Sequence, residues 1–391
     1  MKRPIYLDYC STTPCDPKVV EAMLPYFSEF SGNASSTDHY YAWLNKEAVE
    51  RSKEQIADLL TSHPNDIFYT SGATESINWA IKGLAEMAPN NKKHFITSQV
   101  EHSAVLETFR YLEKEGFQVS YLPVDKYGQI NLDLLKSTIK QETLAICCMY
   151  ANNELGTIYP IKEMAEIAKE HDLYFVSDAT QAVGKIPIDL SSSNIDLLAF
   201  SSHKIYGPKG IGGLIINNSS LKKVFPSMIH GGKQEGAKRA GTINVPAAVG
   251  FGMAAELCKE ELSSNSKTLK QYRDKIESAL LTLPGTRING SLSTRLSHIS
   301  NITFKNIEAE TLLLTMSKTL AISRGSACSS IVQKPSHVLK AIGLDDENAL
   351  NSIRISLGRF VGKEEIDIAI NTITKVVLKL QESMKISSTY S

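Results

Sequence analysis

From about residue 65 to about residue 217, short apolar runs alternate with stretches whose apolar residues recur at helical spacing. Ile67–Thr70, His94–Thr97, Val119–Leu122, Thr143–Tyr150, Leu173–Val176, Leu197–Phe200 and Ile211–Ile216 read as strands, and Ala73–Met87, Val105–Lys114 and Ile161–Glu170 as helices. Such alternation predicts an α/β fold with a mainly parallel sheet and helices on both faces. Sheets of this kind bind ligands in the crevice at the carboxyl ends of their strands. Beyond it, Pro246–Leu283 carries apolar residues at Ala247, Val249, Met253, Leu257 and Leu262, the spacing of one or two long helices. The pattern then changes to Ser300–Phe304 as a strand, Glu308–Ser317 as a helix, Leu320–Ser323 and Asn351–Leu357 as strands, and Glu364–Leu380 as a closing helix. This second part reads as a smaller α/β domain, joined by the N-terminal residues around a short strand at Ile5–Leu7. The expected division is 1–15 as an N-terminal segment packing with the small domain, 16–260 as the large domain and 261–391 as the small one. No internal repeat is evident, and the polar, Ser-rich tail from Lys385 is expected to fray.

At 391 residues the chain can hold one large or two to three ordinary domains. Hydrophobic residues make up 42% and charged residues 21%, ordinary for a soluble globular protein. Lys plus Arg and Asp plus Glu are 42 each, so no general electrostatic grip on nucleic acid or anionic membrane is implied. Neither a secretory signal at the start nor an apolar run near the ~20 residues of a membrane span is present in the sequence. The six cysteines are sparse, which fits free thiols in a reducing, cytoplasmic compartment. Their spacing gives no zinc-site pattern, and no resident metal is expected.

Candidate chemistry clusters where strands end. Thr70-Ser71-Gly72-Ala73-Thr74-Glu75-Ser76 runs from a strand through a glycine into a helix, whose free N–H groups and hydroxyls suit a phosphate or serve as an ordinary cap. In Phe175-Val176-Ser177-Asp178-Ala179-Thr180-Gln181 an Asp ends a buried strand, where it needs a cation such as a protonated pyridine nitrogen, or caps a helix. In Ala199-Phe200-Ser201-Ser202-His203-Lys204-Ile205-Tyr206-Gly207 a strand delivers Lys204, a Schiff-base candidate or a solvated turn lysine. Ser201 and His203, on one side of an extended segment, are placed to share a phosphate. A phosphate cradle, a strand-end Asp and a strand-end Lys in this order form the layout of fold-type I pyridoxal-phosphate enzymes.

The chain closely resembles the cysteine desulfurases of the NifS/IscS type within the class V aminotransferase family. The resemblance rests on Tyr6-Leu7-Asp8, Gly32-Asn33-Ala34-Ser35-Ser36, Gln99-Val100-Glu101-His102-Ser103-Ala104-Val105 and Asn152-Asn153-Glu154-Leu155-Gly156. Further carriers are Ser201-Ser202-His203-Lys204, Arg239-Ala240-Gly241-Thr242, Gly325-Ser326-Ala327-Cys328-Ser329-Ser330 and Ser356-Leu357-Gly358-Arg359, so that it runs to about Leu380. It implies a fold-type I transferase that uses pyridoxal 5'-phosphate to convert L-cysteine to L-alanine, leaving sulfur on Cys328 as a persulfide. By the same resemblance Lys204 forms the Schiff base and then moves the substrate α-proton, and His102 stacks on the cofactor ring and moves protons. Asp178 holds the pyridine nitrogen, Gln181 the phenolic oxygen, and Ala73, Thr74, Ser201 and His203 the phosphate. Thr242 reaches the phosphate of a neighbouring subunit, which implies a homodimer. Asn153 lies against cofactor and substrate, and with Arg354 it holds the substrate carboxylate. The Cys328 thiol needs a lowered pKa or a neighbour, such as His102, to take its proton. The other cysteines are expected to be inert, with Cys147 and Cys148 in the core.

The sulfur is expected to pass to an acceptor protein, an iron–sulfur scaffold or a tRNA-thiolation sulfurtransferase, and Cys328 could transiently share a cluster with such a scaffold. Neither direct nucleic-acid binding nor a membrane is expected. Arg324, where a small polar residue is usual, and Lys233, in place of a glycine, depart from the pattern, and the tail does not match. Selenocysteine lyase activity and a catalytically silent partner-binding subunit are the alternatives.

Overall fold

The computed structural model describes residues 3–325 and 334–389, with side chains through Ser383. After a short strand β1 (Ile5–Tyr6), α1 (Pro17–Met23) and the long α2 (Tyr40–Leu60) lead into the large domain. Its elements are β2 (Ile67–Thr70), α3 (Ala73–Glu86), β3 (His94–Ser98), α4 (Ser103–Lys114), β4 (Gln118–Leu122), β5 (Thr143–Cys147), α5 (Ile161–Glu170), β6 (Tyr174–Asp178), β7 (Leu197–Ser201) and β8 (Gly212–Ile216). The strands form one seven-stranded sheet in the order β2-β8-β7-β6-β5-β3-β4. Every neighbouring pair is parallel except those of β8, which runs antiparallel to both β2 and β7. The expected mainly parallel sheet is therefore present.

The strands are apolar on both faces because both faces are covered. Phe68, Phe95, Val176, Ala199 and Leu214 pack into one layer with Trp79 and Phe109 from α3 and α4. Their neighbours Ile67, Ile96, Phe175, Phe200 and Ile215 point the other way, into a core shared with α2, α5 and the second part of the chain. Cys147 and Cys148 fall on opposite layers and both are buried, as expected of core thiols.

The region after β8 is one helix, α6 (Val245–Leu280), of 36 residues. It crosses residue 260, so the two parts of the chain share it. Gly252 lets α6 lie against α2: a Cβ there would sit 2.6 Å from the Cα of Ser52. Beyond it come β9 (Thr286–Ile288), β10 (Ile299–Phe304), α7 (Ala309–Met316), β11 (Leu320–Ala321), α8 (His337–Ala341), β12 (Ser352–Ser356) and α9 (Lys363–Thr389). β10 is the centre of an antiparallel sheet flanked by β12 and β9. The N-terminal segment joins this part: β1 pairs with β11 in parallel and Asp8 bridges to Ser356. Helix α9 continues to Thr389, past the Lys385 where a frayed tail is expected.

Candidate active site

A cavity of about 780 Å³ opens at the carboxyl edge of the large sheet, walled on the far side by the N-terminal segment and β12. Because β8 runs antiparallel, its beginning lies at the same edge, and the preceding Lys209 and Gly210 join the rim. Of the expected site residues, Ala73, Thr74, His102, Asn153, Asp178, Gln181, Ser201, His203, Lys204 and Arg354 all line this cavity.

The chain leaves β7 at Ser201 and turns at once into a 3₁₀ turn, Ser202–Lys204. The expected extended segment is thus absent. Ser201 and His203 still share the cavity while Ser202 is fully buried behind them, because the turn brings them together in place of strand alternation. The Lys204 amine donates to the carbonyl oxygens of Cys10 and, at 2.8 Å, of Ser11. Burial pulls its pKa down to about 8, Arg354 adds to the shift, and Cys10, Asp178 and Asp8 oppose it. His203 Nδ1 lies 3.0 Å from the Thr12 hydroxyl. Burial, with Lys204 and Lys209 beside it, lowers its pKa to about 4, so the ring is neutral.

Asp178 is the last residue of β6 and is buried. It accepts the Thr180 N–H at 3.0 Å and has no ion-pair partner among the described residues. Gln181 donates from Nε2 to the Cys10 carbonyl at 3.0 Å, which leaves its second N–H for another acceptor. On the other flank, α3 is preceded at its capping position by Gly72, which supplies no side-chain cap, so among the described residues its first N–H groups have no partner at the cavity. Glu75 in that turn is neutralised by Arg239 at 2.9 Å.

His102 caps α4: its Nδ1 accepts the Ala104 N–H at 3.1 Å. Burial holds its pKa below the ordinary imidazole value, against the pull of Asp178. Arg354 on β12 is buried and already engaged. Nη1 donates to the carbonyls of Asn153 (2.9 Å) and Gly325 (3.0 Å), and Nη2 to Asp8 (2.7 Å), Ser11 (2.9 Å) and Ser323 (3.0 Å). Its Nε is buried without a partner among the described residues.

Thr242 is exposed and does not line the cavity of its own chain. Cys328 lies outside the described residues, three positions along the chain from Gly325, which lines the cavity. Arg324 is half-buried and Lys233 exposed. The residue-type patterns did not point to Asp8, Cys10, Ser11, Thr12, Glu154, Lys209 or His337. Cys10 and Ser11 meet Lys204 through backbone carbonyls, and Asp8 and the Ser11 hydroxyl meet Arg354 across 346 and 343 positions of sequence; none of these leaves a local signature.

The model of the aminotransferase class-V family matches residues 5–368. The chain belongs to that family. The cysteine desulfurase IscS of Methanosarcina thermophila is 46% identical over 380 residues, covering 97% of this chain and 93% of that protein. The mitochondrial cysteine desulfurase of Candida albicans is 44% identical, covering 96% of this chain and 77% of that protein. Among solved structures, a NifS-like protein superposes with a TM-score of 0.89 at 37% identity, covering 97% of this chain and all of that one (100%). SspA in complex with cysteine superposes with a TM-score of 0.81 at 38% identity, covering 91% and 99%. Membership implies use of pyridoxal phosphate, and the cavity of this family member fits that group. Asp178 is buried without an ion-pair partner among the described residues, the start of α3 has no side-chain cap and its free N–H groups suit an anion, and Lys204 is an amine depressed toward neutrality in the same cavity.

Proposed function

We propose that the protein is a cysteine desulfurase that uses pyridoxal phosphate to convert L-cysteine to L-alanine and takes the sulfur onto Cys328 as a persulfide. The observation that carries this reading is Lys204: its buried amine, with a pKa near 8, shares one cavity with Asp178 and the carboxylate-binding candidate Arg354. The free N–H groups of Ala73 and Thr74, with Ser201 and the neutral His203, hold the phosphate. Asp178 holds the pyridine nitrogen, Gln181 gives its second N–H to the phenolic oxygen, and His102 covers the ring. Bound there, pyridoxal phosphate supplies an electron sink for the pair released at the substrate Cα. The free Lys204 amine, with its pKa lowered to about 8, would be a base of matched strength for the α-proton. Asn153 and Arg354 orient the substrate carboxylate, with Asp8 and Ser11 fixing the guanidinium plane.

A homodimer completes the site through the neighbouring subunit's Thr242. The large apolar side chains Leu24, Phe27, Tyr40, Tyr41 and Trp43, exposed on the single chain, support a second copy. The persulfide is passed to a protein, an iron–sulfur scaffold or a tRNA-thiolation sulfurtransferase, in a reducing, cytoplasmic compartment. No helix among the described residues is long and apolar enough to cross a membrane.

The test is mass spectrometry of the holoenzyme after incubation with cysteine and no reductant. Cys328 is expected to gain the mass of one sulfur atom. Cys328→Ala is expected to stay yellow without forming persulfide, and Lys204→Ala to lose the absorbance of the lysine adduct. Undiminished sulfide release by Cys328→Ala would sink the assignment.

A further inference from the structure

We propose that Thr12 is a positioning residue for the cofactor phosphate. Its hydroxyl donates to His203 Nδ1 and so fixes the neutral ring in the tautomer that carries its proton on Nε2, the nitrogen left to meet the phosphate. This deepens the reading above and rests on His203 being a phosphate ligand there.

Three imidazoles line the cavity, those of His102, His203 and His337. A backbone group decides the tautomer of two of them. His102 Nδ1 accepts the Ala104 N–H, and His337 Nε2 donates to the Glu101 carbonyl. His203 differs, because the partner of its Nδ1, 3.0 Å away, is the Thr12 hydroxyl. A hydroxyl both donates and accepts, so this contact is compatible with a proton on either ring nitrogen.

The chemistry of the ligand removes the ambiguity. The oxygens of a phosphate dianion only accept, so the ring must offer them an N–H. Burial, with Lys204 and Lys209 beside it, lowers the His203 pKa to about 4, so near neutrality the ring holds one proton and not two. That proton serves the phosphate only from Nε2, which has no partner among the described residues. Nδ1 must then accept, and Thr12 must donate. With the hydroxyl reversed, a ring lone pair would face the phosphate oxygens and repel them. The Thr12 hydroxyl has one other acceptor among the described residues, the Thr13 carbonyl oxygen, at 3.4 Å. The ring nitrogen at 3.0 Å is the better placed of the two.

The pair is held from both sides. Tyr6 donates its hydroxyl to the Thr12 carbonyl at 2.9 Å. The buried Thr13 donates twice to the His203 carbonyl, from its N–H at 3.0 Å and from its hydroxyl at 2.9 Å. The same hydroxyl accepts the Tyr206 N–H at 2.9 Å. Segment 12–13 and the turn Ser202–Lys204 therefore keep one register, so the contact between Thr12 and His203 is in place before a ligand arrives.

The test measures binding of pyridoxal phosphate, and of pyridoxal, which lacks the phosphate, to the cofactor-free protein. Wild type, Thr12→Val, Thr12→Ser, His203→Gln and the Thr12→Val/His203→Gln double variant are compared by the absorbance of the lysine adduct. ¹⁵N NMR of histidine-labelled holoenzyme reads the tautomer, with His203→Gln assigning the signal. The wild-type ring is expected to be neutral with its proton on Nε2. Valine keeps the shape of threonine without the hydroxyl. Thr12→Val is expected to bind pyridoxal phosphate about tenfold more weakly and pyridoxal within about twofold of wild type, and Thr12→Ser to restore the affinity. Glutamine offers an N–H and has no tautomer to set. Adding Thr12→Val to His203→Gln is therefore expected to change the affinity by less than about twofold. Unchanged affinity in Thr12→Val, an equal loss for both aldehydes, an equal loss with and without His203→Gln, or a proton on His203 Nδ1 in the holoenzyme would each overturn the proposal. Failure of the wild type to form any lysine adduct would instead overturn the reading of the site on which it rests.

Discussion

Glu101 offers a stability measurement whose sign and shape follow from its burial. Its carboxyl is fully buried, bonded by Ser98 and the Met149 N–H, with Asp178 as a second acid nearby. Burial raises its pKa from 4.5 to about 8 against the pull of those hydrogen bonds, and Asp178 adds to the rise. Below about pH 4.5 the carboxyl is protonated folded and unfolded, and its full contribution is present. Between about 4.5 and about 8 the unfolded chain sheds the proton and the folded one keeps it, so stability falls by about 1.4 kcal/mol per pH unit. At pH 7 the accumulated cost is about 3 kcal/mol. Glu101→Gln removes the titration; the Ser98 hydroxyl can turn to accept from the new amide. The assay is urea unfolding at fixed protein concentration, followed by the fluorescence of Trp79, which is buried in the core. The wild-type-minus-variant difference is expected to grow in the variant's favour from about pH 4.5 to about pH 8 and to level off above. A difference independent of pH over that interval would refute a protonated Glu101 in the folded protein.

Asp8→Asn removes the charge that fixes the Arg354 guanidinium through a 2.7 Å bond. A bond between charged groups lost at this position is expected to raise the KM for cysteine about tenfold with a much smaller change in kcat, read from steady-state alanine formation. Gly252→Ala places a methyl group 2.6 Å from the Cα of Ser52. It is expected to destabilise the protein by about 1–3 kcal/mol despite alanine's better helix propensity, measurable by the same urea titration.

What the sequence made legible is what a single segment can carry. Asp178 ends an apolar strand, Lys204 follows one within three residues, and the start of α3 follows a strand directly, so periodicity places their segments at one sheet edge. His203 shows the limit: it reaches the cavity through a 3₁₀ turn that the apolar pattern does not mark. His337 and Glu154 lie beyond that limit. Each is an ordinary polar residue near a helix start or in a loop, and its surroundings come from residues far away in sequence: the Glu101 carbonyl lies 236 positions from His337, and Ser336 lies 182 from Glu154. The carbonyls of Cys10 and Ser11 that receive Lys204 are backbone atoms, about which side-chain identity says nothing.

The residues that receive Lys204 also set an order of assembly. Ile5 and Tyr6 leave the ribosome first, yet their partners Leu320 and Ala321 emerge only after the whole large sheet has been made. Asp8 waits longer still, for Arg354 and Ser356. The large domain can therefore fold while its lysine lacks the carbonyls that will hold it, and the cavity gains its far wall last. Pairings of such high sequence separation form late in folding. In a growing chain, competence to seat the lysine amine is thus withheld until nearly the entire polypeptide has been made. A nascent or C-terminally truncated chain would carry Lys204 without the wall that positions its amine.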